Sequence, residues 1–315
     1  MTLILTRSDL EAVLEPAACT AVLEDGFRSA DARSATGQRV RTDLPFPGTA
    51  TALIPGLLPG IDAYTVKVNA EFPGGRPALR GVICLHGGHD GELLALMDSA
   101  TITAWRTGLA AALATHVLAA PDPGGEAVLG VIGAGAQADL VVRGLRGMRS
   151  FGEVVVHDTD PARTAAFIGR YGGRALGSPA AVAAAADVVL LATWSRTPLL
   201  HLADTRPGQH VTSLGADEPG KQELSADLLT SALLVVDDRE AAATTGALAA
   251  AGLPATAARA TLGEVLRNDR PGRTSPTQRT AYAPVGLPWQ DLALAWLAFE
   301  HAEQRGVGTR TDLLS

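Results

Sequence analysis

The sequence predicts an α/β protein made of a Rossmann dinucleotide-binding domain and a second, α+β domain. Three observations predict it. Residues 128–138, VLGVIGAGAQA, lead from a short apolar run through Gly133 and Gly135 into a segment of helical period. Downstream, the apolar runs EVVVHD, DVVLLAT, HVTSLG and LLVVDD alternate with helical stretches, which is how buried parallel strands and their crossover helices read. A chain of 315 residues that is 47% hydrophobic is also longer than one core usually grows, so two domains are expected.

In chain order, residues 8–30 carry apolar residues at helical spacing, with Ser8 as the expected N-cap and Glu11 as its capping-box partner. Between 38 and 96 short runs broken by Pro and Gly predict a mainly antiparallel sheet. In YTVKVNAEF the alternation puts Tyr64, Val66, Val68 and Ala70 on one face and Thr65, Lys67, Asn69 and Glu71 on the other. Residues 99–120 read as an Ala- and Leu-faced helix, and PDPGGEA then breaks the chain, which sets the expected domain boundary at 121/122. The alternating strands and helices follow from Val128, and a last long helix is expected from Pro288 to Gln304. No period of a repeat architecture is present.

Composition excludes several function classes. A net charge of −7 with scattered basic residues argues against a nucleic-acid partner. Cys19 and Cys84 form no Cys-x-x-Cys spacing, so neither a disulfide framework nor a four-cysteine metal site is expected. The first residues lack a secretory pattern and no apolar stretch is long enough for a membrane span, so a cytoplasmic protein with no membrane partner is expected. His86 and His89 in LHGGHDG read as a solvated hairpin rather than a metal site, and no metal is expected elsewhere.

The glycine stretch has a physical reading. Gly133 permits the tight turn after the strand, Gly135 lets backbone amides approach a pyrophosphate, and Ala138 keeps the helix close to the sheet. Asp158, ending the next strand, can accept both ribose hydroxyls of an adenosine and would repel a 2′-phosphate, which favours NAD over NADP. The alternative is that Asp158 caps the helix near Pro161, although Asp160 could perform that task. The bare residues leave other choices open too. Lys67, one of two lysines in the chain, reads as a solvated strand lysine or a buried functional one, Arg106 as a surface helical arginine or an anion ligand, and Asp217 as a turn residue with Gly220 or an acid at a strand end. Thr193, with Ser195 and Arg196, follows a parallel strand and either touches the nicotinamide ribose or is ordinary loop.

Five segments together resemble the ornithine cyclodeaminase/μ-crystallin family: YTVKVNAEFP (64–73), LLALMDSATITAWRTGLAAALA (93–114), VIGAGAQA (131–138), LGADEPGKQEL (214–224) and PVGLPWQDLALAWLAFEHA (284–302). They occur in the family's order and span nearly the whole chain. The resemblance implies a substrate-binding and dimerisation domain of residues 1–121, completed by 285–315, around a Rossmann domain of residues 122–284. It also implies a homodimer joined through the two N-terminal sheets.

The resemblance further implies roles for individual residues. Lys67, Arg106 and Arg41 (Arg39 being the alternative) would bind the substrate carboxylate, and Asp217 would be the acid/base at the substrate amine, with Lys67 also able to exchange protons. Gly133, Gly135, Ala136, Gln137, Asp158, Thr107 and Thr193 would contact the nucleotide, and Lys221 would support the Asp217 loop. The implied reaction is hydride transfer at the α-carbon of a small amino or imino acid, as in ketimine reductases and amino-acid dehydrogenases. Two departures bear on the substrate. Ala52 stands where cyclodeaminases carry a glutamate for the distal ammonium of ornithine, and PVGLPWQD replaces their usual C-terminal motif. Cyclisation of ornithine or lysine is therefore the second reading, and a non-catalytic binding protein the third.

Overall fold

The computed structural model describes residues 1–30, 40–43, 50–71, 79–122 and 124–313; for residues 40–43, 50, 51, 53 and 71 it describes the backbone alone. The chain forms two compact units, Met1–Thr107 with Leu287–Ser315, and Gly108–Gly286.

In the first unit β1 (Thr2–Leu5) precedes α1 (Arg7–Val13) and α2 (Pro16–Ser29). The N-cap of α1 is Thr6 rather than the expected Ser8, and its box partner is Asp9 rather than Glu11: Thr6 N–H donates to Asp9 Oδ2 at 2.9 Å, and Asp9 N–H to Thr6 Oγ1 at 3.4 Å. The reason is β1, which carries extended backbone up to Leu5, so the first residue able to cap is Thr6. Pro16 at the first position of α2 separates the two helices.

Strands β2 (Val40–Asp43), β3 (Ala50–Gly56), β4 (Ala63–Glu71), β5 (Leu79–Gly87) and β6 (Leu93–Asp98) form the expected antiparallel meander. With β1 parallel to β6, and β15 (Thr309–Thr311) antiparallel to β1, the sheet has seven strands in the order β15-β1-β6-β5-β4-β3-β2. Its polarity inverts the simplest expectation for β4. Thr65 and Lys67 are buried, at 0% and 2% exposure, whereas Val68 and its register partner Val82 are 38% and 43% exposed.

The polar face is turned inward because α11 (Pro288–Arg305) packs on it. That helix also buries Trp289 edge-on against Phe27 of α2, with ring centroids 4.9 Å apart. Gly26 makes this possible, since a Cβ there would overlap the Trp289 ring.

Helix α3 (Ser99–Leu118) contributes its first half to the first unit and its second half to the second, so the contact boundary falls at Thr107/Gly108, upstream of the Pro-Gly break. The second half packs closely on Gly144: a Cβ there would fall 2.7 Å from Ala112 Cβ and 2.8 Å from Leu109 Cδ2.

The second unit continues as β7 (Val128–Ile132), α4 (Ala136–Leu145), β8 (Glu153–His157), α5 (Pro161–Tyr171), β9 (Arg174–Ala175), α6 (Pro179–Ala185), β10 (Val188–Leu191), β11 (His210–Ser213), α7 (Ala226–Ser231), β12 (Leu233–Val236), α8 (Arg239–Thr244), α9 (Ala247–Ala250), β13 (Ala260–Thr261), α10 (Leu262–Leu266) and β14 (Thr280–Tyr282). All eight strands are parallel, in the order β13-β12-β14-β11-β10-β7-β8-β9. This is the doubly wound arrangement that the apolar runs predict, with the topological reversal beside β7, where such sheets bind nucleotides. Strands β10 and β11 are wholly buried; β10 accordingly reads as a continuous apolar run, whereas β11 buries His210, Thr212 and Ser213, each hydrogen-bonded.

Candidate active site

The glycine turn of the second unit is built as its sequence requires. Gly133 N–H donates to the His157 carbonyl at 2.8 Å, and φ is +89°. A Cβ there would also lie 2.5 Å from the Ala192 carbonyl oxygen, so only glycine fits. Gly135 caps α4 with no side-chain bond, and a Cβ on it would meet nothing within 4 Å, leaving the backbone open to an incoming group. The first amides of α4, from Ala136 and Gln137, lie at the positive end of a ten-residue helix, and Ala138 beneath them is fully buried. Gln137 Oε1 is buried without a hydrogen-bond partner.

Asp158 closes this turn. Its Oδ2 accepts from Ala134 N–H and its Oδ1 from Asp160 N–H, both at 2.8 Å. Helix α5 is capped by Asp160, through Ala162 N–H at 2.9 Å, so the capping task does not fall to Asp158. The open face at Gly135, the unshared α4 amides and the carboxylate at the end of β8 fit a dinucleotide: pyrophosphate on the amides, ribose hydroxyls on Asp158.

The loops after β10 and β11 form a second cluster in the same unit. Glu223 is fully buried, and its two oxygens accept four bonds: Thr193 N–H and Oγ1 at 2.7 Å each, Ser213 Oγ at 2.7 Å and Gly215 N–H at 2.8 Å. Burial pushes its carboxyl upward from the usual range, against the pull of these donors. Asp217, two residues beyond Gly215, is half-exposed and pairs with Lys221 at 3.1 Å. Lys221 is buried, also pairs with Glu218 at 2.8 Å, and lies 3.9 Å from the centre of the Trp194 ring. Burial lowers the Lys221 pKa, but the two carboxylates outweigh it and leave the pKa raised, so the ammonium stays charged. A permanent cation braced by three groups suits the supporting role expected of Lys221. Ser195 belongs to the same bracing, its carbonyl accepting from Gln222 N–H at 2.8 Å.

The first unit holds the third cluster. Lys67 Nζ of β4 donates to Asp291 Oδ2 at 2.5 Å, Arg106 Nε of α3 donates to Asp291 Oδ1 at 3.3 Å, and Arg106 Nη1 donates to Gln290 Oε1 at 3.4 Å. Lys67 is therefore not a solvated strand lysine. Arg106 sits inside α3 as expected but is not a surface arginine: its side chain is 12% exposed, against 3% for Asp291. Thr107 follows it on the same helix and is half-buried. The side chain of Arg41 and the whole of Arg39 lie outside the described residues.

Asp291, Gln290 and Glu223, which hold these clusters together, were not singled out from the sequence. A signal existed for the first two, since Gln-Asp directly before the apolar run 292–299 needs a reason to be buried. Among the described residues no group of three or more His, Cys, Asp or Glu side chains could hold a metal ion. No helix there is long and apolar enough to cross a membrane.

A doubly wound parallel sheet with a glycine turn and an acid ending its second strand defines a Rossmann-type dinucleotide-binding protein. The chain belongs to the ornithine cyclodeaminase/mu-crystallin family, whose model matches residues 1–306. It is 31% identical over 320 residues to an alanine dehydrogenase of Archaeoglobus fulgidus, covering 98% of each chain. Among solved structures it resembles an archaeal alanine dehydrogenase dimer with bound NAD, at a TM-score of 0.89 and 29% identity over 99% of each chain. It also resembles the Thermococcus litoralis Δ1-pyrroline-2-carboxylate reductase in complex with NADH and L-proline. That match has a TM-score of 0.91 and 27% identity over 98% of this chain and all of the other.

Proposed function

We propose that this chain is an NAD-dependent oxidoreductase acting at the α-carbon of a small amino or imino acid, as a ketimine reductase or amino-acid dehydrogenase. The observation that carries the reading is the convergence of Lys67 and Arg106 on one buried carboxylate. Two cations held in a nearly dry site form a receptor for a small carboxylate, and the planar Arg106 guanidinium suits bidentate contact.

When bound, the nicotinamide supplies or accepts the hydride at the α-carbon. The Gly135 backbone and the α4 amides bind its pyrophosphate, with Ala136 and Gln137 at that helix start. Asp158 holds the adenosine ribose and disfavours a 2′-phosphate. Thr193, fixed by Glu223, orients the nicotinamide end, and Thr107 contacts the phosphates. Lys67 and Arg106 fix the substrate carboxylate. Asp217 Oδ moves the proton to or from the substrate nitrogen, and Lys221 keeps that loop in place. Ala52, 9% exposed, offers no carboxylate to a distal ammonium, which weighs against ornithine and lysine cyclisation. The exposed Val68 and Val82 face supports a homodimer joined through this sheet.

The test follows nicotinamide absorbance with purified protein, NADH or NADPH, and a panel of cyclic imines and of 2-oxo acids with ammonium or amines. Steady NADH loss with one substrate is expected. Formation of proline or pipecolate from ornithine or lysine without net change in NADH would replace this reading with cyclodeamination.

A further inference from the structure

Trp194 is 68% exposed, more than any other large hydrophobic side chain among the described residues. Its backbone is nevertheless fixed on both sides. Thr193 before it is fastened to buried Glu223, and the carbonyl of Ser195 after it accepts from Gln222 N–H at 2.8 Å. These two anchors set the indole against Lys221, whose Nζ lies 3.9 Å from the ring centre.

The ammonium of Lys221 has three N–H donors. Two reach carboxylates, Asp217 Oδ1 at 3.1 Å and Glu218 Oε1 at 2.8 Å, and the indole face stands where the third can go. The Glu218–Lys221 turn, with Gly220 at φ +83°, folds the lysine back over its own loop to make this possible. The lysine side chain is accordingly only 7% exposed, although Trp194 and Asp217 on either side of it are open to solvent. A ring face attracts a cation while keeping water from it.

We propose that Trp194 is a positioning residue for Asp217 that acts through Lys221: its ring covers the third face of the ammonium, so the lysine stays on Asp217 and fixes the rotamer from which that carboxylate meets the substrate nitrogen. The inference rests on the reading of Asp217 as the acid/base. With the ring removed, water takes its place, the ammonium is drawn outward, and Asp217 samples rotamers that point away from the reacting nitrogen. The role asks no contact of Trp194 with substrate or cofactor.

Lys67 and Lys221 are the two lysines of the chain, so amine labelling reads the effect of the ring directly. Wild type, Trp194→Ala and Trp194→Phe are reductively methylated with formaldehyde and a borane, and both lysines are followed by mass spectrometry. Lys221 is expected to react about tenfold faster in Trp194→Ala and close to the wild-type rate in Trp194→Phe, with Lys67 unchanged throughout. Turnover of the imine and 2-oxo acid panel with NADH is measured on the same variants. Here kcat falls about fivefold in Trp194→Ala and recovers in Trp194→Phe, while KM for NADH holds. In a Lys221→Gln background, Trp194→Ala lowers kcat no further, which a role independent of Lys221 would not require. An unchanged Lys221 rate in Trp194→Ala, a rise at both lysines together, or faster labelling with unchanged kcat overturns the inference alone. Wild-type protein that turns over no member of the panel overturns the oxidoreductase reading and the positioning role with it.

Discussion

Glu223 accepts both the backbone N–H and the hydroxyl of Thr193 on a single oxygen, Oε1, each at 2.7 Å. Its other oxygen holds Ser213 and Gly215, so one buried carboxylate fastens the loop after β10 to the loop after β11. Thr193, the residue proposed to face the nicotinamide, is placed by this side chain, which also holds Gly215 at the start of the loop that carries Asp217.

Glu223→Gln therefore puts an amide NH2 against donors. We expect a loss of about 3 kcal/mol of stability, since two of the four bonds fail in a dry setting. NAD affinity falls with it, and chemical denaturation together with nucleotide titration checks both.

Asp158 does two tasks, bracing Ala134 N–H and offering its carboxylate to a ribose. Asp158→Ser is expected to weaken NAD about tenfold or more while NADP is affected less, because the lost carboxylate is also what repels a 2′-phosphate. Competing titrations of the two dinucleotides give the ratio. An unchanged ratio would remove Asp158 from the cofactor assignment.

Asp217 is half-exposed and its carboxylate pairs with Lys221, so its removal should disturb chemistry more than folding. Asp217→Asn is expected to lower kcat roughly a hundredfold to ten-thousandfold with the melting temperature little changed, the range for loss of a general acid/base. Full turnover by this variant would exclude the role.

His210 is fully buried between Thr280 Oγ1 and Thr212 Oγ1, at 2.8 and 2.9 Å. Burial, and then the positive charges of Arg273 and Arg149, push its pKa down from 6.5 to about 3. In that interval the unfolded chain binds a proton at this site that the folded chain does not. Its contribution to stability is thus full above pH 6.5 and is lost as pH falls toward 3. Unfolding measured across this window should show uptake of about one proton that His210→Gln lacks.

Val68 and Val82 are cross-strand partners, both exposed, on the outer face of the first sheet. Val82→Arg is expected to convert a dimer to monomers without unfolding the unit, because the side chain already faces outward. Sedimentation velocity checks this, and an unaltered assembly would move the subunit contact elsewhere.

Much of this protein was legible in its sequence, for local reasons. The runs from Val128 onward identify their strands because strands buried on both faces are mostly apolar, β11 with its hydrogen-bonded His210, Thr212 and Ser213 being the exception, and Gly133 and Gly135 announce a turn whose sterics exclude a Cβ at the first of them. Short elements were not legible: β9, β13 and β14 are two or three residues each, too brief for a period, and β14 is inserted between β11 and β12 from far along the chain. Ser8 was read as a cap because nothing local reveals that β1 ends at Leu5, a strand that exists through pairing with β6 and β15.

The sequence by itself determined the parallel nucleotide fold, the antiparallel sheet and the identities of Lys67, Arg106, Asp158 and Asp217 as residues worth examining. Only the tertiary structure decided which face of β4 is buried, because alternation defines two faces and not which of them α11 will cover. It also decided that Lys67 and Arg106 share Asp291, a residue 224 positions away from the lysine. Contacts of that separation follow from how helices and strands pack, and no period or motif within a single segment encodes them.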